Sequence, residues 1–286
     1  MIKSRGSKVA DWVIVFVCLL LIAVCILPMI NLLARSVSSQ YSLVRGQVSL
    51  WPIGFQLGAY QHVLEDSRNT WAMCWTAILT VICVFVSMVM TTFCAYPLIY
   101  DNLKGRSFFN AAFLLTMYFG AGTIPTYILL NDLKMLGTPY SLIFPFCLSV
   151  FNMIIMRSFL FGIPDSLRES AEIDGAGPLR ILFKIYLPLS TSVVATLSLF
   201  YAVGRWNGYS DALMFVKQKP ELYPIQLILY NLISGQEPIA ADPNQAFFAE
   251  NVKSAAIMFA TIPILCVYPF LQRYFIAGVT LGAVKG

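Results

Sequence analysis

Residues 162–188 read GIPDSLRESAEIDGAGPLRILFKIYLP, and how this stretch folds decides how the rest of the chain is read. Pro164-Asp165-Ser166 is a helix-start signal, and Ser166 followed by Glu169 fits a capping box, in which each side chain satisfies a backbone N–H of the first turn. The pattern predicts a short helix through Leu167, Ala171 and Ile173. Gly175 ends it, because glycine accepts the left-handed backbone common at a helix C-terminus. Gly177-Pro178 opens a second helix, with proline at a tolerated first position. Leu179, Leu182, Phe183 and Tyr186 would form its apolar face, and Pro188 would mark the bend out of it. Glu169, Glu172 and Asp174 stand against Arg168, Arg180 and Lys184, and charge of both signs suits docking to a soluble protein. Two short helices joined by a glycine turn and held at both ends form a lever that a partner can grip.

Both ends of this stretch run into apolar sequence. The chain is 58% hydrophobic and 12% charged over 286 residues, whereas soluble domains carry about 25% charge. A membrane protein follows. Charge-free runs place six spans at about 12–34, 71–98, 108–130, 137–161, 189–215 and 253–273, leaving 162–188 as a loop and 274–286 as a tail. Each is close to the ~20 residues a bilayer core needs in a helix. The alternation of an outer-membrane barrel is absent, so the expected fold is an all-α membrane protein of one transmembrane domain, 1–286. The first run is too long for a signal peptide and reads as a retained span.

The net charge of +5 reads as topology rather than as nucleic-acid binding. With the N-terminus inside, the inner segments include Lys3, Arg5, Lys104, Arg106 and Arg273; Arg35, Arg45, Lys134 and Lys217 are among the fewer outer ones. Both termini are therefore expected in the cytoplasm, and 162–188 faces it. The seven cysteines sit in apolar runs without C-x-x-C spacing and read as small hydrophobes. His62 stands alone, and no catalytic set, metal cluster or G-x-x-x-x-G-K-[ST] phosphate loop occurs, so the chain should be no enzyme and hold no cofactor itself.

Glu169-Ser170-Ala171, then Gly175, then Ile185 and Leu187-Pro188, keep the full spacing of the EAA loop. On these residues the chain resembles the binding-protein-dependent ABC transporter permeases, with Ser170 where the pattern has alanine. Asp174-Gly175-Ala176, Trp206-Asn207-x-Tyr209 and the ending from Gln272 to Gly286 are similar to the sugar-importer branch and its maltose-type smaller permease. Gly122-x-x-Pro125-Thr126-Tyr127 and the stretch Val150 to Arg157 resemble the subgroup serving complex oligosaccharides.

The resemblance implies a type I importer permease fold and a carbohydrate, an oligosaccharide above all, as cargo. It implies a second permease in a heterodimer, two ATPase subunits carrying ATP and Mg, and an external solute-binding protein. It assigns Glu169, Ser170, Ala171, Asp174, Gly175, Leu187 and Pro188 to ATPase coupling, and Gly282, Lys285 and Gly286 to a tail reaching the ATPase.

Gly122, Asn152, Trp206, Asn207 and Tyr209 are candidates for the substrate path, packing being the alternative for each. The glycines and prolines of the third and fourth spans mark either broken helix or harmless kinks. Arg205 and Asp211 interrupt the fifth span. Six residues put them about 240° apart on one helix, so Arg205 should find its partner on another. A secondary transporter, with repeats and buried ion-coupling charges, and a membrane-embedded enzyme are the competing classes.

Overall fold

The computed structural model describes residues 5–235 and 249–283, with no strand among them. Helix α1 (Arg5–Ser36) is apolar on every side through its middle, where residues 12–30 are exposed, and it becomes buried only near its end, at Ala34 and Ser36. The 26 residues of its Asp11–Ser36 portion reach about 39 Å, enough to cross a bilayer. Helix α2 (Ser67–Ala95) continues through a 3₁₀ turn, Pro97–Ile99, as a second span-length element. It buries one face of small residues: Ala72, Thr76, Thr80, Cys83, Ser87, Thr91 and Ala95. Small side chains at this spacing let helix backbones approach closely where lipid supplies no hydrophobic drive. Thr76 donates to the Ala72 carbonyl and accepts from the Ile225 N–H at 2.8 Å, so the stripe is polar but satisfied.

The middle of the chain is built from broken helices. Helix α3 (Arg106–Tyr118) and α4 (Thr123–Asp132) meet at 113°. Gly122 stands at that break with φ +85°, a backbone open to glycine and costly for other residues. Tyr140–Phe146 and α5 (Val150–Phe161) meet at 51°. A loop region follows with α6 (Asp165–Ile173) and α7 (Pro178–Ile181), the latter extending to Leu189 through a wide π turn over Leu182–Tyr186. Helix α8 (Thr191–Asn207) leaves that segment at 84°, so the bend falls at Ser190, two residues beyond Pro188. Helix α9 (Ser210–Phe215) follows a break at Gly208. Helix α10 (Ala249–Ala283) is continuous, so the tail expected from residue 274 extends the last helix. Among the described residues three helices are long and apolar enough to cross a membrane, and up to six spans result when each bent pair counts as one. The glycines and prolines of the third and fourth spans thus mark broken helix.

Two compact units are present. One contains Met1–Thr70 and Leu229–Ile262, the other Trp71–Ile228 and Pro263–Gly286. In the first, Ser38 is a hub. Its Oγ donates to the Ala34 carbonyl at 2.6 Å and accepts the Ile53 N–H, while its carbonyl accepts from Gln56 and Asn251. Arg35 pairs with Glu250 at 2.7 Å, tying the end of α1 to the start of α10. In the second unit, Tyr96, Leu98, Met153, Met156, Leu160, Ile181, Leu182 and Leu197 form a buried cluster beneath the α6–α7 segment.

Candidate functional site

The α6–α7 segment starts where proline puts it. Pro164 caps α6 with extended backbone and gives no side-chain bond, and Asp165 occupies the first turn, where a negative charge meets the positive end of the helix. The capping box expected at Ser166 does not form, because the helix begins two residues earlier. Ser166 is interior, and its carbonyl accepts the Ser170 hydroxyl at 2.8 Å. That bond satisfies the serine that stands in the alanine position.

The helix ends in a Schellman motif. Gly175 has φ +77°; the Ala176 N–H reaches the Ala171 carbonyl at 2.9 Å and the Gly175 N–H reaches Glu172 at 3.0 Å. Gly177 and Pro178 then start α7 as anticipated. The apolar face differs from expectation. Ile181, Leu182 and Tyr186 are buried, while Leu179 and Phe183 are exposed. The π turn is the reason: it brings residues five apart, such as 181 and 186, onto one side.

Charge is sorted across α6. Arg168 turns inward, with side-chain exposure of 22%. It bonds Glu172 at 2.9 Å and Asp165 at 3.4 Å, and its guanidinium lies 5.4 Å from the Tyr100 ring centre. The hydrogen bond to Glu172, followed by the attraction of its charge, holds Arg168 protonated beyond the usual arginine range. Glu169 is 64% exposed and only 3.8 Å from the Arg168 guanidinium. Ile173, one turn on from Glu169, is 86% exposed. Ser170 and Asp174 are also exposed, Ala171 is half-buried against the core, and Leu187 and Pro188 lie at the far end of the segment. The outer face therefore presents a largely exposed carboxylate, loosely paired with Arg168, beside bare apolar side chains, Ile173 and Leu179.

A second candidate site is a cavity of about 520 Å³ within the same unit, lined by Cys83, Ser87, Asn152, Tyr201, Arg205 and Asp211 among others. Arg205 and Asp211 form a bidentate pair at 2.5 and 3.0 Å, correcting the expectation that they face apart. That expectation assumed one unbroken helix, and the break at Gly208 lets the chain fold back. Arg205 also donates to the Leu142 carbonyl at 3.1 Å and the Gly208 carbonyl at 3.3 Å. A Cβ on Gly208 would stand 2.8 Å from the Arg205 guanidinium, so the clamp needs glycine there.

Of the proposed path residues, Asn152 lines the cavity. Trp206, Asn207 and Tyr209 flank the lining residue Gly208, and Gly122 stands at the α3–α4 break. Sequence reasoning missed Tyr201, which bonds Thr91 at 2.7 Å and accepts the Ser149 N–H at 3.1 Å; nothing local marks it. Gly282 falls within α10, while Lys285 and Gly286 lie outside the described residues. Among the described residues no group of three or more His, Cys, Asp or Glu could hold a metal ion.

Residues 68–281 match the family described as binding-protein-dependent transport system inner membrane component. The chain is 35% identical over 285 residues to a polygalacturonan/rhamnogalacturonan transport system permease protein of Bacillus subtilis, covering 98% of this chain and 99% of that protein. It is 23% identical to an arabinooligosaccharides transport system permease protein of Halalkalibacterium halodurans, over 99% and 100% of the two chains. Among solved structures it superposes with a TM-score of 0.89, at 30% identity, on a chain of a bacterial ABC transporter involved in the import of the acidic polysaccharide alginate, covering 96% of this chain and 99% of that one.

Proposed function

The chain belongs to the family of binding-protein-dependent transport system inner membrane components, and on that premise we propose that it is one of two permease subunits of an ATP-driven importer of oligosaccharides. The single observation that carries the coupling role is the outer face of α6. Glu169 and Ile173 are exposed there on a helix whose other side is locked to the core. An exposed carboxylate beside exposed apolar side chains is suited to a soluble partner with a basic group and an apolar pocket.

In this reading 162–188 faces the cytoplasm, as do both termini, and an ATPase subunit carrying ATP and Mg receives it. Glu169 pairs with the ATPase; Ser170, Ala171, Asp174 and Gly175 shape the contact; Leu187 and Pro188 pass the motion to α8. The end of the chain, with Gly282, Lys285 and Gly286, reaches the same ATPase. A second permease, forming a heterodimer, completes the pore, and an external solute-binding protein delivers cargo. The relatives' names support a carbohydrate cargo. The hydroxyl, amide and aromatic lining of the 520 Å³ cavity, with Ser87, Asn152 and Tyr201, suits sugar hydroxyls and supports a substrate path through it. This chain supplies shape and leverage, while ATP hydrolysis takes place on the partner.

Affinity purification of the tagged chain with its partners in mild detergent tests the proposal, using Glu169→Lys beside the wild type. The wild type should bring down a second permease and an ATPase; the variant should keep the permease and lose most of the ATPase. A wild-type chain that comes down alone and still transports would overturn the reading.

A further inference from the structure

We infer that Tyr96 and Tyr100 are positioning residues that lock the end of α2 to the coupling segment, so that the segment drives three elements rather than the two it joins in sequence. This rests on the coupling role proposed for 162–188. The chain connects that segment only to α5 and α8. The structure adds a third attachment through two tyrosine hydroxyls. Tyr96 directly follows α2 and donates to the Pro178 carbonyl at 3.0 Å. Pro178 is the first residue of α7 and has no N–H of its own, so its carbonyl is the backbone group it can offer.

With the Tyr96 proton committed to that carbonyl, the 2.5 Å contact between the two hydroxyls requires Tyr100 to be the donor. The Tyr100 ring in turn lies beneath the Arg168 guanidinium at 5.4 Å, a cation–π distance. The Tyr96 ring packs edge-on against Tyr186 at 5.4 Å. One residue at the end of α2 thus reaches α6 through Tyr100 and Arg168, the start of α7 through Pro178, and the π turn through Tyr186. Tyr96 and Tyr186 are 5% and 2% exposed, so the Tyr96 ring is fixed in the core while its hydroxyl bonds are part-buried. Arg168 is held from its other side by Asp165 and Glu172, which leaves the α6 end of the chain of contacts stiff. Any displacement of α6 and α7 by a partner must move the end of α2 or break these bonds. The same α2 lines the cavity with Cys83 and Ser87, which gives the attachment a route to the cargo path.

The two hydroxyls differ in what they hold, and that makes the inference testable. Tyr96→Phe removes the bond to Pro178 and the acceptor for Tyr100, while keeping the ring that fills the core. Tyr100→Phe removes one bond and keeps the ring under Arg168. The assembled complex, reconstituted into proteoliposomes with its ATPase and binding protein, is assayed for cargo taken up per ATP hydrolysed. Both variants should retain the ATPase and hydrolyse ATP. Uptake per ATP should fall about fivefold for Tyr96→Phe and about twofold for Tyr100→Phe, following the loss of two bonds and one. A wild-type ratio in both variants would overturn the inference. If Tyr96→Phe does not assemble, Tyr100→Phe decides alone, and a wild-type ratio overturns it. Failure of the wild-type chain to retain an ATPase would instead strike the coupling proposal.

Discussion

The Arg205–Asp211 pair gives the sharpest test of how the broken fifth span is held. The two side chains are 7% and 9% exposed. Asp211→Ala would leave the Arg205 charge with only two carbonyl acceptors, at 3.1 and 3.3 Å. Breaking a buried pair from one side costs about 3–5 kcal/mol, because the remaining charge stays desolvated. For a protein of this size that is on the order of 10 °C in apparent Tm. Replacing both partners, as Arg205→Met with Asp211→Leu, removes the charge problem along with the pair and should recover most of the loss. Gly208→Ala approaches the same clamp from outside. Its Cβ would stand 2.8 Å from Arg205 Nη2, and displacing that nitrogen should cost about 1–3 kcal/mol. The assay is thermal loss of the monodisperse complex in lipid nanodiscs for the wild type, the single variants and the double variant. An Asp211→Ala protein as stable as the wild type would refute the reasoning. So would a double variant no more stable than Asp211→Ala.

Two further outcomes follow from helix ends. Gly175→Ala should weaken ATPase retention about fivefold, because the left-handed backbone at φ +77° costs an L side chain roughly 1 kcal/mol; no atom lies within 4 Å of the added Cβ, so the penalty is purely backbone. Gly175→Asn should lose less, and equal retention by all three chains in a pull-down would contradict the Schellman reading. At the start of α2, the Asp66 carboxylate accepts the Arg68 N–H at 2.9 Å and its guanidinium at 2.9 Å. Burial pushes this carboxyl up, but its hydrogen bonds from Arg68 and that residue's charge together hold it below the usual aspartate range. With the folded value depressed, the stabilisation is present above about pH 4 and is lost as pH falls through the folded value. The protection of the amides across residues 67–70, taken against their intrinsic exchange rates at each pH, should fall at low pH in the wild type, and Asp66→Ala should show the reduced protection already at neutral pH, a loss of about 1 kcal/mol.

The sequence was most legible where one local signal sufficed. Charge-free runs marked helices long and apolar enough to cross a membrane, Gly175 marked the end of α6, and Gly177-Pro178 marked the start of α7. It was least legible where the regular helical period was assumed to continue. The Arg205–Asp211 separation was computed on an unbroken helix, although Asn207-Gly208 is a turn signal and Asp211 lies in the first turn of α9. The face of Leu179 and Phe183 was computed at 3.6 residues per turn, and the π turn from Leu182 changes the phase. Ser166 lost its cap because Pro164, two residues earlier, already fixes an extended backbone. The pairing of Tyr96 with Pro178 joins residues 82 apart, and no local pattern encodes it. The small-residue stripe of α2, from Ala72 through Thr76 and Thr80 to Ala95, is legible in the sequence as a face of small side chains at helical spacing.

The broken spans also rank the residues that could meet cargo. Each break frees backbone donors and acceptors that lipid cannot satisfy, so the polar side chains near it serve the backbone first. Arg205 takes up the Leu142 and Gly208 carbonyls and holds Asp211 through both terminal nitrogens, while its Nε is buried without a partner among the described residues. Tyr201 accepts the Ser149 N–H and bonds Thr91, and Ser149 Oγ accepts the Asn152 N–H. These groups are committed to keeping the cavity in shape. Asn152 also lines the cavity, on a residue 5% exposed, and its backbone N–H is taken up by Ser149. A buried amide with two donors and an acceptor is costly to leave unsatisfied. The charged pair thus sets the walls of the cavity, and we propose the uncharged Asn152 carboxamide on its lining as a group that meets cargo.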